Sequence, residues 1–508
     1  MQIGLQINKK NSRPTVVTGA TGLIGRWLLA ELTARDRPVA AFVRSPETRV
    51  AELRDWVDGH GGRGELVEAY AFDLTESDLG LTASGLAQLE RADAVFHLAA
   101  LFGFGLDVAL TRQANVVASE RLVELSSTNV NLRRFVHISG YRTKGRAWRG
   151  LDVDDEAALL ALYRAHGAYE TSKMEAHERV RRAALKYSVP LTRISPAMVI
   201  GDSRTGETTQ LTGLAETIEQ LWLGKLPALA GTPQTWMPAI SVDFLTSLLA
   251  SLPDDEESVG DHVLVFDDET PTLPRVLEMA ATRMGVKAPS LILPAGLLRA
   301  LPSSISGVDP EALSFISDDR YDPRPLAELC QRLGLERPPI ELTLERWIDH
   351  LMDTRFGRRG PRQGRNFIAA GTRVFGRGDR ETPEVVYLHG VMLNEHSWTP
   401  VTDRVAGSHL ALDLPGLGRS EPGGGTPREW MTAALAPTRN TPIVVGHSLG
   451  CAFALEYAAA HPGRVNELVL VSPFFLQGRP GWMLRQPWLM TRLFRHGGQS
   501  RLAAAMGA

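Results

Sequence analysis

Tyr169-Glu-Thr-Ser-Lys173 places a phenol and an ammonium four residues apart, and no other tyrosine in the chain has a lysine at that spacing. On a helix this sets both side chains on one face, where the ammonium lowers the phenol's pKa and the pair shares one ligand. A phenol so placed gives its proton to a carbonyl oxygen as hydride arrives at the carbon, and the lysine also holds a cofactor's ribose. An exposed helical pair without chemistry has the same spacing.

A site for such a cofactor stands near the start. Pro14-Thr-Val-Val-Thr18-Gly19-Ala-Thr21-Gly22-Leu23-Ile24-Gly25 runs from an apolar strand through a glycine-punctuated turn into a helix. The three glycines remove the Cβ atoms that would keep a phosphate from backbone N–H groups. With Thr18, Thr21, Leu23 and Ile24 they form a candidate pyrophosphate cradle at a helix N-terminus. A plain tight turn is the alternative, and the flanking strand and helix favour the nucleotide.

The second strand ends in Val43-Arg44-Ser45. At this point an acid bonds a ribose 2′-hydroxyl and an arginine suits a 2′-phosphate, so NADPH is the expected cofactor; a solvated surface arginine is the bland alternative. Asp73 and Leu74 after the third strand, and Leu98, Ala99 and Ala100 after the fourth, stand where adenine and ribose would be lined, or are ordinary strand ends.

Apolar runs at 39–43, 66–72, 94–98, 135–138, 191–194 and 262–266, separated mostly by helical periodicity, carry these residues. That alternation predicts an α/β fold with a doubly wound parallel sheet. At 508 residues the length suits roughly two to four domains. With 44% hydrophobic residues, 22% charged and a net charge of −3, the chain reads as soluble and globular, and no nucleic-acid partner is expected. Two distant cysteines, Cys330 and Cys451, fit a reduced, cytoplasmic setting. No apolar run reaches the ~20 residues of a membrane span, and Met1–Pro14 lacks the apolar core of a signal peptide. Self-association into a homo-oligomer is left open.

Together Thr18-Gly-Ala-Thr-Gly-Leu-Ile-Gly25, His97-Leu-Ala-Ala100 and Tyr169 with Lys173 resemble the extended short-chain dehydrogenase/reductase superfamily, over about residues 14–355. A finer likeness, to its thioester-reductase and fatty-acyl-reductase branch, rests on Phe72-Asp-Leu-Thr-Glu-Ser-Asp-Leu-Gly-Leu81, Asn115-Val116 and Val199-Ile-Gly-Asp-Ser-Arg-Thr-Gly-Glu207. The resemblance implies a Rossmann-type NAD(P)-binding fold with Tyr169 as general acid, Lys173 as its tuner and ribose ligand, and Asn115 near the proton relay. It also implies a hydroxyl that binds the substrate carbonyl. Here the chain departs, because Phe135-Val-His-Ile-Ser139-Gly140 has glycine where that branch usually has threonine. Either Ser139 or Thr143 serves from a rearranged strand end, or carbonyl activation is weak. Residues of about 203–302 are expected to supply the substrate region, whose apolar run Thr212–Trp222 suits a long acyl chain or a simple core.

Arg355-Phe-Gly-Arg-Arg-Gly-Pro-Arg-Gln-Gly-Arg365 is basic and glycine-rich, and reads as the boundary of a domain spanning 1–357, with a linker at 358–365. Beyond it, Glu384-Val-Val-Tyr-Leu-His389-Gly390, His409-Leu-Ala-Leu-Asp413 and Gly446-His-Ser448-Leu-Gly450 resemble an α/β-hydrolase over 366–508. The strand, Gly-x-Ser-x-Gly and helix order is that of a nucleophile elbow. The resemblance implies Ser448 as nucleophile and the N–H groups of Val391 and Leu449 as oxyanion hole. No aspartate follows Asp413, and the histidines after Ser448 are His461 and His496, so the hydrolase part is expected to be incomplete in this chain, or degenerate or completed by another chain. The arginine-rich stretch from Gln477 onward is expected to form part of a lid, or a membrane-surface helix.

These readings converge on an NADPH-dependent oxidoreductase for a carbonyl or thioester of an acyl or lipid-like substrate, fused to an α/β-hydrolase. A hydrolase as the main activity and a non-catalytic NADPH-binding scaffold are the alternatives.

Overall fold

The computed structural model describes residues 13–103, 105–144, 152–284, 286–294, 316–358, 364–423 and 425–476. The arginine-rich stretch 477–508 with His496, residues 1–12 at the start, and 295–302 of the expected substrate region lie outside the described residues. The chain divides into two compact units, 1–360 and 361–508.

In the first unit the strands are β1 (Thr15–Thr18), β2 (Val39–Val43), β3 (Val67–Ala71), β4 (Ala94–His97), β5 (Arg134–Ile138), β6 (Leu191–Pro196), β7 (Met198–Ile200), β8 (Leu229–Ala230), β9 (Ala239–Ser241), β10 (His262–Val265) and β11 (Ile292–Leu293). Seven of them form one parallel sheet in the order β3-β2-β1-β4-β5-β6-β10. The reversal beside β1 is the expected doubly wound arrangement, and it puts a crevice at the C-terminal ends of β1 and β4.

Both sheet faces are covered, so β1, β2, β4 and β5 are buried along their whole length and read as apolar runs without alternation. Successive residues face opposite layers: Val17 joins one core with Leu28 and Leu245, and Val16 joins the other with Leu122 and Val180. A smaller lobe has its own core of Ile200, Leu214, Ile218, Leu277 and Trp347. Helix Leu214–Trp222 spends its apolar stripe there, which answers the choice left open by the sequence: that stripe is core.

The second unit holds β12 (Arg365–Ala369), β13 (Thr372–Gly378), β14 (Val385–Leu388), β15 (His409–Leu412), β16 (Ile443–His447) and β17 (Leu468–Val471), ordered β12-β13-β15-β14-β16-β17. The sheet is mixed: β13 is antiparallel to both neighbours and the remaining pairs are parallel. Among the described residues, no helix is long and apolar enough to cross a membrane.

Candidate functional site

Each glycine of the first turn has its own reason. Gly19 has φ +70°, and a Cβ there would stand 2.8 Å from Ala99 N, so the ends of β1 and β4 meet only because the side chain is absent. At Gly25 a Cβ would fall 2.2 Å from Gly19 O, which locks the helix Leu23–Ala34 against the turn. A Cβ on Gly22 would meet only Gly19 O, at 3.4 Å. The protein's own packing barely requires that glycine.

Thr18 and His97 stitch this turn to the rest of the site. Ser119 Oγ donates its proton to Asn115 O (2.6 Å), so the His97 Nε2 2.8 Å away must donate to Ser119. The other ring nitrogen then accepts from Thr18 Oγ1 (2.8 Å), and that oxygen in turn accepts from the N–H groups of Leu98 and Ala99 (3.2 Å each). Burial pushes the imidazole down to about 3, with Lys173 adding to the shift, so His97 is neutral.

Asn115 lies in a π-helical turn, Gln113–Val117, of the kind that re-aims a side chain. Its amide clamps Leu101 at both backbone groups (2.6 and 3.0 Å) and donates to Ser172 Oγ (3.0 Å), which donates to Tyr169 O (2.8 Å). Both amide protons of Asn115 are committed to these two partners.

Gly167, at φ +85°, lets the chain turn into the helix Ala168–Tyr187 that carries Tyr169 and Lys173. Lys173 Nζ donates to Ile138 O (2.7 Å), and burial lowers its pKa to about 8. The expectation that Lys173 depresses the phenol is not what this arrangement gives. Loss of hydration raises half-buried Tyr169 to about 12, and the Glu170 charge adds to the rise, so the phenol keeps its proton.

Ser139 is drawn elsewhere. Arg193 donates to His177 Nε2 (2.8 Å), which leaves His177 Nδ1 to donate to Ser139 Oγ (3.1 Å). His177 stands two turns beyond Tyr169, about 12 Å along the axis. Thr143 pairs with His262 Nε2 (3.1 Å). Neither hydroxyl is drawn toward Tyr169, and the Cβ position of Gly140 is filled by Met174 Cε, 2.9 Å away.

These contacts belong to a polar row that no single strand reveals. Thr18, His97, His137, Arg193 and His262 are register partners across β1, β4, β5, β6 and β10, and share one sheet face. His137 is 2% exposed, and neither ring nitrogen has a hydrogen-bond partner.

At the end of β2, Arg44 lines a polar cleft of about 330 Å³ with Thr21, Ser45, Thr48 and Arg49. Ser45 (φ 55°) caps the helix Pro46–Gly59, so Thr48 and Arg49 rise from its first turn. A Ser-Pro helix start was the available signal for the last three, which sequence reasoning missed. Glu52 takes Arg49 (2.8 Å) and Arg26 (2.5 Å), and Arg26 Nε donates to Thr21 O (2.9 Å). Asp73 accepts from Thr75 N (2.9 Å) and shapes the turn after β3, beside Leu74. Ala100 follows Leu98 and Ala99 out of β4.

In the second unit Ser448 has φ +49° between β16 and the helix Gly450–Ala460, the strained turn expected of an elbow. A Cβ on Gly446 would sit 2.7 Å from Cys451 N, and one on Gly450 2.5 Å from Leu388 O. Gly390 passes so close that its Cβ would be 3.0 Å from Ser448 Cβ, which brings the loop bearing Val391 alongside Ser448 and Leu449. His389 is buried and already used: Nε2 accepts from Leu414 N (3.0 Å), so Nδ1 donates to Gly390 O (2.7 Å). His461, bonded to Thr432 (2.7 Å), caps the far end of the nucleophile helix.

Residues 17–249 match the family model described as Male sterility protein, and residues 383–508 match the one described as alpha/beta hydrolase fold. Peramine synthetase ppzA of Metarhizium majus (strain ARSEF 297) is 27% identical over 43% of this chain and 8% of its own length. A Pimeloyl-[acyl-carrier protein] methyl ester esterase of Salmonella heidelberg (strain SL476) is 43% identical over 19% of this chain and 40% of its own. The chain thus spans well under half the length of either relative. The terminal R domain from the myxalamid PKS-NRPS pathway (22% identity, TM-score 0.53) covers 68% of this chain and 92% of that one. A thiolation-reductase di-domain from an archaeal non-ribosomal peptide synthetase (17%, TM-score 0.52) covers 68% and 76%. These two likenesses show the fold. The chain therefore joins a Rossmann-like parallel-sheet domain, matched by the Male sterility protein model, to a domain of α/β-hydrolase fold.

Proposed function

We propose that this chain, a nicotinamide-nucleotide-binding domain joined to an α/β-hydrolase fold, is an NADPH-dependent reductase of a carbonyl or thioester in an acyl substrate. The observation that carries this reading is the place of Tyr169 on a helix that Ser172, Asn115, Ser119 and His97 tie by hydrogen bonds to the glycine turn.

The residues fit the dinucleotide. The Gly22 position admits a close ligand, Leu23 and Ile24 stand in a helical first turn whose amides have no intrahelical acceptor, and Arg44 and Arg49 with three hydroxyls suit a 2′-phosphate. When bound, the cofactor supplies the hydride. Tyr169 holds the proton for the carbonyl oxygen. Lys173, anchored on Ile138 O, would hold the cofactor's ribose, and Asn115 fixes the backbone of Leu101 and the helix turn at Ser172. Carbonyl activation by Ser139 is not part of this reading, because its hydroxyl accepts from His177, two helical turns beyond Tyr169.

NADPH consumption by the full chain against acyl thioesters, aldehydes and ketones is the test, with Tyr169→Phe as control. Turnover lost with the tyrosine supports the reading; tight NADPH binding without turnover on any carbonyl overturns it and favours the scaffold.

A second activity is favoured by the Ser448 turn: hydrolysis of an acyl ester or thioester with Ser448 as nucleophile and Val391 and Leu449 as oxyanion donors. The name of the esterase relative, which matches the second unit, points to an acyl group borne on a carrier protein as its substrate class.

A further inference from the structure

Phe102 lies against the ring of Tyr169, edge to face, with centroids 4.7 Å apart and planes at 86°. It is nevertheless 47% exposed, an unusual state for a ring that large in contact with a buried site. Its place is not accidental. Leu101, the residue before it, is held at both backbone groups by Asn115, the same side chain that grips Ser172 on the Tyr169 helix. One amide therefore fixes Phe102 and Tyr169 relative to each other. On the other side the chain leaves through Gly103 and Gly105, and a Cβ at Gly105 (φ +66°) would meet nothing within 4 Å.

A carbonyl oxygen that takes the Tyr169 proton must come within ~2.6–3.2 Å of the phenol oxygen. The groups on that carbonyl carbon then fall within reach of the open half of the Phe102 ring. A flat aromatic wall accepts a methylene chain along its face and collides with a branch at the carbon next to the carbonyl.

We propose that Phe102 is a specificity-determining residue of the reductase site, selecting acyl groups unbranched beside the carbonyl. The proposal rests on the reductase reading above.

The test compares kcat/KM of the full chain for two N-acetylcysteamine thioesters, octanoyl and 2,2-dimethyloctanoyl, with NADPH binding followed by fluorescence. Phe102→Ala is expected to raise the branched-to-unbranched ratio about tenfold, the scale of one or two methyl groups in a pocket, and Phe102→Trp to lower it, with NADPH affinity unchanged in both. Phe102→Leu serves if the alanine variant does not fold, and should move the ratio in the same direction. An active variant with an unchanged ratio overturns the role of Phe102 alone. A wild type that binds NADPH and reduces no thioester or aldehyde overturns the reductase reading and this assignment with it.

Discussion

Thr18 Oγ1 donates to His97 Nδ1 across 2.8 Å, and this contact commits a buried imidazole to its neutral Nε2–H form. His177 and His137 are also held neutral by burial, the first down to about 2 and the second well below its ordinary value. An unfolded chain takes up protons on all three near pH 6.5, whereas the folded one does not until far lower. The unfolded state thus binds more protons across that window, and the stability of the folded state falls as pH drops from about 6.5 toward 3, by up to ~1.4 kcal/mol per pH unit for each ring. Urea denaturation of the full chain at pH 7.5, 6 and 5 should show the first transition moving to lower urea; a flat profile would contradict the neutral assignment.

The glycine turn separates fold from function. Gly25→Ala puts a methyl 2.2 Å from Gly19 O and should lower the melting temperature of the first unit or prevent its folding. Gly22→Ala meets only the 3.4 Å contact and should fold normally, yet lose NADPH affinity by tenfold or more, on the order of 1.4 kcal/mol. Melting curves beside fluorescence titration distinguish the two, and equal losses of stability would sink the division.

Arg44 and Arg49 should set the choice of cofactor. Each charge-assisted bond to a phosphate is worth ~1.5–3 kcal/mol. Arg44→Ala is accordingly expected to weaken NADPH by roughly tenfold or more while leaving NADH within about twofold, and to flatten the salt dependence of NADPH binding. Equal effects on both nucleotides would return Arg44 to a solvated surface role.

Much of this was legible in the sequence. The strands were, because burial on both faces writes them as apolar runs, and so were the glycine turn, the Tyr169/Lys173 pair and the Ser448 elbow, because each is a local pattern. The polar row was not: Thr18 and His97 are 79 residues apart, and only sheet register makes them neighbours. The sequence puts Ser139 at the end of β5 but does not show its partner His177, although His177 stands at the same helical spacing after Lys173 as Lys173 does after Tyr169. The π-turn that swings Asn115 onto Leu101 has no signature in residue type.

Gly140 offers the sharpest test of carbonyl activation. Its Cβ direction is occupied by Met174 Cε at 2.9 Å, the end of a flexible side chain, so a larger residue there needs Met174 to retreat. Gly140→Thr combined with Met174→Ala should fold and restore a hydroxyl beside Lys173, whose Cβ is 3.7 Å from the same point. A donor aimed at the developing oxyanion is worth ~10²–10³ in kcat where it is fully formed; an imported one should return about tenfold, in kcat more than in KM. Ser139→Ala, by contrast, should leave kcat within about twofold and lower stability by ~1 kcal/mol through the lost His177 bond. The reverse pattern, a large loss with Ser139→Ala and no gain with the double variant, would mean that Ser139 leaves His177 for the substrate.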